Sequence, residues 1–226
     1  MIAPPFDLER LKRERRGKGA RPYDRRHFLG LSSGAAALAL LPQAARAKTL
    51  TPEEVFEDAH APILGNPEGD VTIAEFFDYQ CSWCKKIHPD MMDVVAEDGN
   101  VRLMMKDWPV FGEVSVFAAQ VALGAAQLGR YPTIVDTLMG MSGRLSLESV
   151  SEAVEKKGIA MDDIAVAVRA NNQTISDLLT RNWHQAEAFG FTGTPSFVIG
   201  TTTYRGALTR TALREAIDKA RDEARG

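Results

Sequence analysis

Residues 71–86, VTIAEFFDYQCSWCKK, decide the reading of this chain. Val71 to Phe77 is dominated by β-branched and aromatic residues and predicts a strand. Ser82 to Val95 carries apolar residues at helical spacing and predicts a helix, broken or kinked at Pro89. Cys81-Ser82-Trp83-Cys84 thus follows a strand and opens a helix. A cysteine in a first helical turn faces unpaired backbone N–H groups and the positive end of the helix dipole. Both favour thiolate over thiol, and such cysteines ionise at roughly 3.5 to 7.5, against about 8.5 for a free thiol. Two intervening residues let the second sulfur reach the first, so Cys84 can resolve a mixed disulfide formed by Cys81.

These are the only two cysteines in 226 residues. A disulfide-rich scaffold and a four-cysteine zinc site are excluded. Half a zinc site would need a second pair, and only four histidines are present. An inert structural disulfide would close too short a ring to remove much loop entropy. Redox chemistry at the dithiol is the expectation.

Outward from this motif, Val101 to Lys106 predicts a second strand, closed by Trp108-Pro109. Upstream, Thr51 to Glu57 predicts a short helix with Pro52 in its first turn, and Asn66 to Asp70 a turn. From Val114 to Gly190 alanine, leucine and charged residues recur at helical spacing, predicting an insert of about four helices. Strand character returns at Ser196 to Ile199 and Thr202 to Arg205, and Thr209 to Glu223 predicts a closing amphipathic helix. The order βαβ, helices, ββα describes one α/β domain with a helical insertion. Its parts are an N-terminal extension (48–70), a main domain (71–112 and 191–226) and an inserted helical subdomain (113–190).

Two further positions stand out. Glu75 lies six residues before Cys81 in an otherwise apolar strand. Buried there, its pKa would rise, and it could exchange a proton with Cys84, while Lys106 on the neighbouring strand could pair with it. Alternatively, Glu75 points to solvent from a half-exposed strand; periodicity does not choose. Thr194-Pro195 sets a proline at the start of a strand, where proline is tolerated and where the X-Pro bond can be cis at low cost. An ordinary trans proline opening an edge strand is the alternative.

The first 47 residues read as an export signal. They hold ten Lys+Arg against four Asp+Glu, net +6, while the other 17 basic and 26 acidic residues leave the remainder at −9. Arg25-Arg26-His27-Phe28-Leu29 precedes a 14-residue apolar stretch, Phe28 to Leu41, too short to span a bilayer, which takes roughly 20 residues. Pro42 ends it, and Ala45-Arg46-Ala47 is a small-x-small cleavage signature. The double arginine resembles a twin-arginine signal. A mature chain from about Lys48, in a bacterial periplasm that permits disulfides, is expected. The acidic remainder gives no encouragement to nucleic-acid binding.

With these features in order, the chain resembles the thioredoxin-fold family, and within it the exported DsbA-like branch. Residues 75–86, Lys106-Asp107-Trp108-Pro109 and Gly193 to Gly200 carry the resemblance, which covers about 65 to 226. It implies a thioredoxin fold with a helical insertion. It implies Cys81 as nucleophile, Cys84 as resolving thiol and Glu75 with Lys106 as a buried acid–base pair. It implies a cis Pro195 packed on the dithiol, with the Thr194 backbone pairing an extended substrate segment. Ser82-Trp83 between the cysteines departs from the Pro-His of the strong oxidant, and Thr194 from its valine. The twenty-odd residues before the first strand are too few for the N-terminal arm of the oligomeric isomerases, which favours a monomer.

Trp83, a tryptophan at the helix start, would rest on an apolar substrate. Met91, Met92, Met104 and Met105 suggest either core filling or a soft copper site. His88, Lys85 and Lys86 read as surface residues. Three functions follow. The first is an exported oxidoreductase that donates disulfides to exported cysteine-containing proteins and is reoxidised by a quinone-linked membrane protein. The second is a reductase or isomerase of the same fold, and the third a copper-tolerance protein with the dithiol as ligands. The first calls for no cofactor and no metal.

Overall fold

The structure, a computed structural model, describes residues 50–226. The leader expected over residues 1–47 lies outside the described residues. Helix α1 (Pro52–Phe56) opens with a capping box between Thr51 and Glu54. Strands β1 (Ile63–Gly65) and β2 (Val71–Phe77) follow, then α2 (Ser82–Asp98) and β3 (Val101–Asp107). Five helices come next: α3 (Glu113–Ala126), α4 (Tyr131–Met139), α5 (Leu147–Glu155), α6 (Met161–Ala170) and α7 (Asn172–Ala188). Strands β4 (Ser196–Ile199) and β5 (Thr202–Arg205) and helix α8 (Arg210–Glu223) complete the chain.

One mixed sheet runs in the order β1-β3-β2-β4-β5. Strand β2 is central, parallel to β3 and antiparallel to β4. A strand flanked on both sides and covered on both faces needs an almost continuous apolar run, and β2 is buried at every residue but Thr72. The expected α/β fold with its helical insertion is therefore the observed one.

Three details differ from expectation. Strand β1, antiparallel to β3 at the sheet edge, has no counterpart in the sequence reading; three residues are too few to show a period. It lies close enough to β3 that a Cβ on Gly65 would meet the Val101 carbonyl oxygen at 2.5 Å. The insert holds five helices rather than about four, because α5 and α6 separate at Gly158, which takes φ +73°. Helix α2 runs unbroken through Pro89.

Helix α8 packs on α2, and its arginines meet the acidic outer face of that helix. Arg210 reaches Asp93 and Glu97 at 2.7 Å, and Arg221 bridges Asp70 and Asp98. Exposed pairs of this kind contribute little individually. The ion cluster on the other face of the sheet is different. Lys106, fully buried, donates to Asp58 Oδ2 at 3.2 Å, and Arg181 of α7 holds Asp58 Oδ1 at 2.9 Å. Burial opposes the Asp58 charge, but the Arg181 hydrogen bond and the Lys106 charge outweigh it and hold the carboxyl below its usual range. The cluster ties the segment after α1 to β3 and α7. Replacing Lys106 with methionine should therefore lower unfolding stability by about 3 kcal/mol in urea titration, since it strands part of a desolvated charge. An unchanged urea midpoint would show that the cluster does not brace the fold.

Candidate active site

Cys81 is the N-cap of α2, in extended conformation (φ −71°, ψ 116°). Its sulfur takes the place of a capping oxygen and accepts the Cys84 N–H at 3.4 Å, while its thiol donates to the Thr194 carbonyl at 3.2 Å. The Cys81 pKa is pushed down to about 6. The largest cause is the hydrogen bond from the Cys84 thiol, to which the N–H groups of Cys84 and Trp83 add; burial opposes them. Cys81, which the resemblance implies is the exposed nucleophile, is itself only 4% exposed, and Cys84 is fully buried. Burial drives its thiol far upward, and the bond to Cys81 and the nearby Glu75 charge push the same way. The arrangement places the negative charge on Cys81 and keeps the proton on Cys84.

The β2–β4 ladder brings Thr194 to this point. The Thr194-Pro195 bond is cis, and the Pro195 carbonyl accepts the Gly206 N–H at 2.9 Å. Trp83 is 54% exposed, with the Lys86 ammonium 4.8 Å from its ring centre, so Lys86 is a cation–π partner as well as a surface charge. A cleft of about 520 Å³ opens beside the dithiol between Gln80, Ser82, Lys85, Phe111, Gly143 and Arg144.

Two side chains, Lys85 and His88, sit differently from expectation, and the methionines take the core-filling reading. Lys85 is not simply solvated: its ammonium donates to the Met141 carbonyl at 2.8 Å and fastens α2 to the turn after α4. His88 is buried, its Nε2 2.9 Å from Asp136 Oδ1. Met91, Met104 and Met105 are core residues. Asp78, which sequence reasoning passed over except as part of the motif, is a hub. Its carboxylate accepts the N–H groups of Gln80 (2.7 Å), Val110 (2.7 Å) and Phe111 (3.1 Å) and the Ser115 hydroxyl (2.7 Å). It thereby clamps the residues before Cys81 to the loop after β3. Its one signal in sequence is a lone acid between a buried strand and the first cysteine.

Glu75 is 1% exposed. Its pKa is pushed up to about 8, chiefly by burial, then by the charges of Cys81 and Asp107. Of the two sequence readings the buried one is correct. Its pairing with Lys106 is not. In the parallel β2–β3 register Glu75 stands opposite Met105, and Lys106 opposite Phe76. Neighbouring side chains on a strand point to opposite faces, so Lys106 lies across the sheet from Glu75, with Asp58. The titratable neighbour of Glu75 is Asp107, which sequence reasoning missed.

The thioredoxin family profile matches residues 57–219, and the chain belongs to that family, in its DsbA-like thiol–disulfide oxidoreductase branch. The structure of a thioredoxin-like oxidoreductase from Silicibacter pomeroyi is 37% identical, covers 76% of this chain and 99% of that one, and superposes with a TM-score of 0.73. The thiol-disulfide exchange protein alpha-DsbA2 from Wolbachia pipientis is 29% identical over 72% of this chain and 88% of its own, with a TM-score of 0.68. The catalytic domain of Proteus mirabilis ScsC, 22% identical, shares the fold with a TM-score of 0.63 over 74% of this chain and 92% of its own. Among curated proteins, an Na(+)/H(+) antiporter NhaA 1 from Salinispora arenicola matches at 22% identity over 80% of this chain. The chain spans less than a third of the length of the curated relatives it matches.

Two outcomes follow from the charge distribution. In the reduced protein, thiolate absorbance should titrate with a midpoint near pH 6, and limiting iodoacetamide at pH 7 should label Cys81 and spare Cys84, as peptide mapping would show. Glu75 binds its proton more tightly folded than unfolded, so its contribution to stability is full below its ordinary pKa and is lost as pH rises toward about 8. Glu75→Gln should accordingly raise Tm more at pH 8 than at pH 5; an equal change at both would mean the carboxyl is not held protonated.

Proposed function

We propose that the chain is an exported dithiol–disulfide oxidoreductase that donates its Cys81–Cys84 disulfide to newly exported proteins. The observation that carries this reading is the division of the two sulfurs, Cys81 capping a helix as a stabilised thiolate and Cys84 buried with its proton. A substrate thiolate attacks Cys81, the Cys81–Cys84 bond breaks, and the electron pair goes to Cys84, which takes up a proton. A second substrate thiolate then attacks the substrate's own sulfur. The substrate disulfide forms and Cys81 departs as thiolate, which leaves faster the lower its pKa. The substrate has lost two electrons and the dithiol has gained them.

Glu75, beneath the pair, is the proton store for Cys84. The Thr194 backbone beside Cys81 is where an extended substrate segment docks, and exposed Trp83 offers it an apolar surface. The leader pattern supports export to a periplasm, and one structure of this fold, from Salmonella enterica, is described as a periplasmic thioredoxin-like protein. A quinone-linked membrane protein would reoxidise the dithiol, and the chain would act as a monomer.

Equilibration with glutathione tests the direction. A thiolate near pH 6 lies between the values of about 3.5 for a strong oxidant and about 7 for a reductant, which predicts a potential between about −120 and −270 mV. A value at or below about −270 mV would make the chain a reductase. Cys81→Ser should abolish thiol exchange and Cys84→Ser should trap mixed disulfides; full exchange in Cys81→Ser would end the reading.

A further inference from the structure

Beneath the dithiol two carboxylates share the same side of the sheet. Glu75 on β2 and Asp107 at the end of β3 are each 1% exposed. The register pairs Glu75 with Met105 and Phe77 with Asp107, so the two acids sit on adjacent strands two residues apart, on one face. The nearest buried cation, Lys106, faces the other way and is engaged by Asp58. Each acid keeps one oxygen, Glu75 Oε2 and Asp107 Oδ1, without a hydrogen-bond partner. The other Asp107 oxygen accepts the Tyr131 hydroxyl of α4 at 3.0 Å. The Asp107 backbone carbonyl accepts from Asn182 of α7 at 3.0 Å, which pins the residue in place.

We propose that Asp107 is a positioning residue for the thiol chemistry: it shares one proton with Glu75 and, through that sharing, controls how readily Glu75 takes the proton of Cys84. This rests on the dithiol reading above. Two buried carboxylates without a cation cannot both ionise at low cost, so the pair retains a proton at neutral pH. Asp107 is itself pushed up to about 7, mainly by burial, while the hydrogen bond from Tyr131 pulls it back, and its charge is one of those that raise Glu75. The groups facing the pair are Cys81 and Cys84 from α2, Asp78 and Tyr79 from the loop after β2, and Tyr131 from α4.

The step is the resolution of a mixed disulfide on Cys81. The Cys84 proton passes to a Glu75 oxygen, and the Cys84 sulfur forms its bond to the Cys81 sulfur. The bond from Cys81 to the departing sulfur breaks, and that group leaves as a thiolate with the electron pair. The cysteines are oxidised to a disulfide and the departing group is reduced. An ionised Asp107 makes Glu75 the stronger base for this transfer, and Tyr131 keeps Asp107 ionised. The helical insert thereby touches the redox centre through one hydroxyl.

The test loads full-length protein at Cys81 with thionitrobenzoate and follows its release by Cys84 across pH 4 to 9, in the wild type and in Asp107→Asn, Tyr131→Phe and Glu75→Gln. The wild-type rate should rise with pH along a limb set by the carboxylate pair. Asp107→Asn removes the charge beside Glu75 and should move that limb to lower pH by about one unit. Tyr131→Phe, which deletes only a hydroxyl, should move it the same way by less, and it decides the matter if Asp107→Asn does not fold. Glu75→Gln should abolish the limb. A limb that stays in place or moves to higher pH in the folded variants overturns the proposal while leaving the dithiol reading intact. If the wild type releases no thionitrobenzoate at any pH, the dithiol reading itself fails.

Discussion

The Cys81 thiol and the Thr194 carbonyl meet at 3.2 Å although 113 positions separate them in the chain. Nothing local holds them together. The contact exists because β4 pairs antiparallel with β2, so the segment entering β4 passes the segment leaving β2 at one edge of the sheet. The whole helical insert must leave β3 and return to β4 for that to happen. The proline at the mouth of β4 costs the sheet no ladder bond, since its nitrogen falls where the strand begins. The chemistry of the dithiol and the topology of the sheet are thus one constraint seen from two sides.

The sheet also sorts charge. On one face Lys106, Asp58 and Arg181 form a bracing cluster in which every charge has an opposite. On the other, Glu75 and Asp107 lie under the thiols, and no cation among the described residues is paired with either. Compensated charge stabilises structure, whereas uncompensated buried acid stays protonated near neutrality and can move that proton. A single residue step along β3, from Lys106 to Asp107, separates the two roles. Asp78 provides the rigidity that such a site needs, since four donors from two loops and the start of α3 converge on its carboxylate.

The family match covers all five strands of the sheet and the insert together. Within it this chain has its own features. Ser82-Trp83 stands between the cysteines, leaving no histidine there to support the Cys81 charge, and the support comes instead from the Cys84 thiol and the backbone. The exposed Trp83 ring and the cleft beside Phe111 flank the reactive sulfur on an otherwise acidic domain.

Residues 71–86, with the order of elements that follows them, were enough to determine the class of fold, because a doubly covered strand shows as a continuous apolar run and an amphipathic helix writes its period into the chain. The two cysteines, their order at a helix start and the Thr-Pro far downstream were legible for the same reason: the chemistry resides in residue types at short spacing. The edge strand β1 was not legible, being too short for a period, whereas the helix starts at Ser146 and Ala160 were. The site was read only partly. Glu75 was visible as an acid in an apolar run, but its partner was assigned to Lys106 when the register sends that side chain across the sheet. Asp78 shows only as a lone acid between a buried strand and the first cysteine, and Asp107 and Tyr131 carry no local signal of their role. Which charged groups share a space depends on strand register and on which helix covers which face. Those are settled by packing among segments far apart in sequence, so only the tertiary structure decides them.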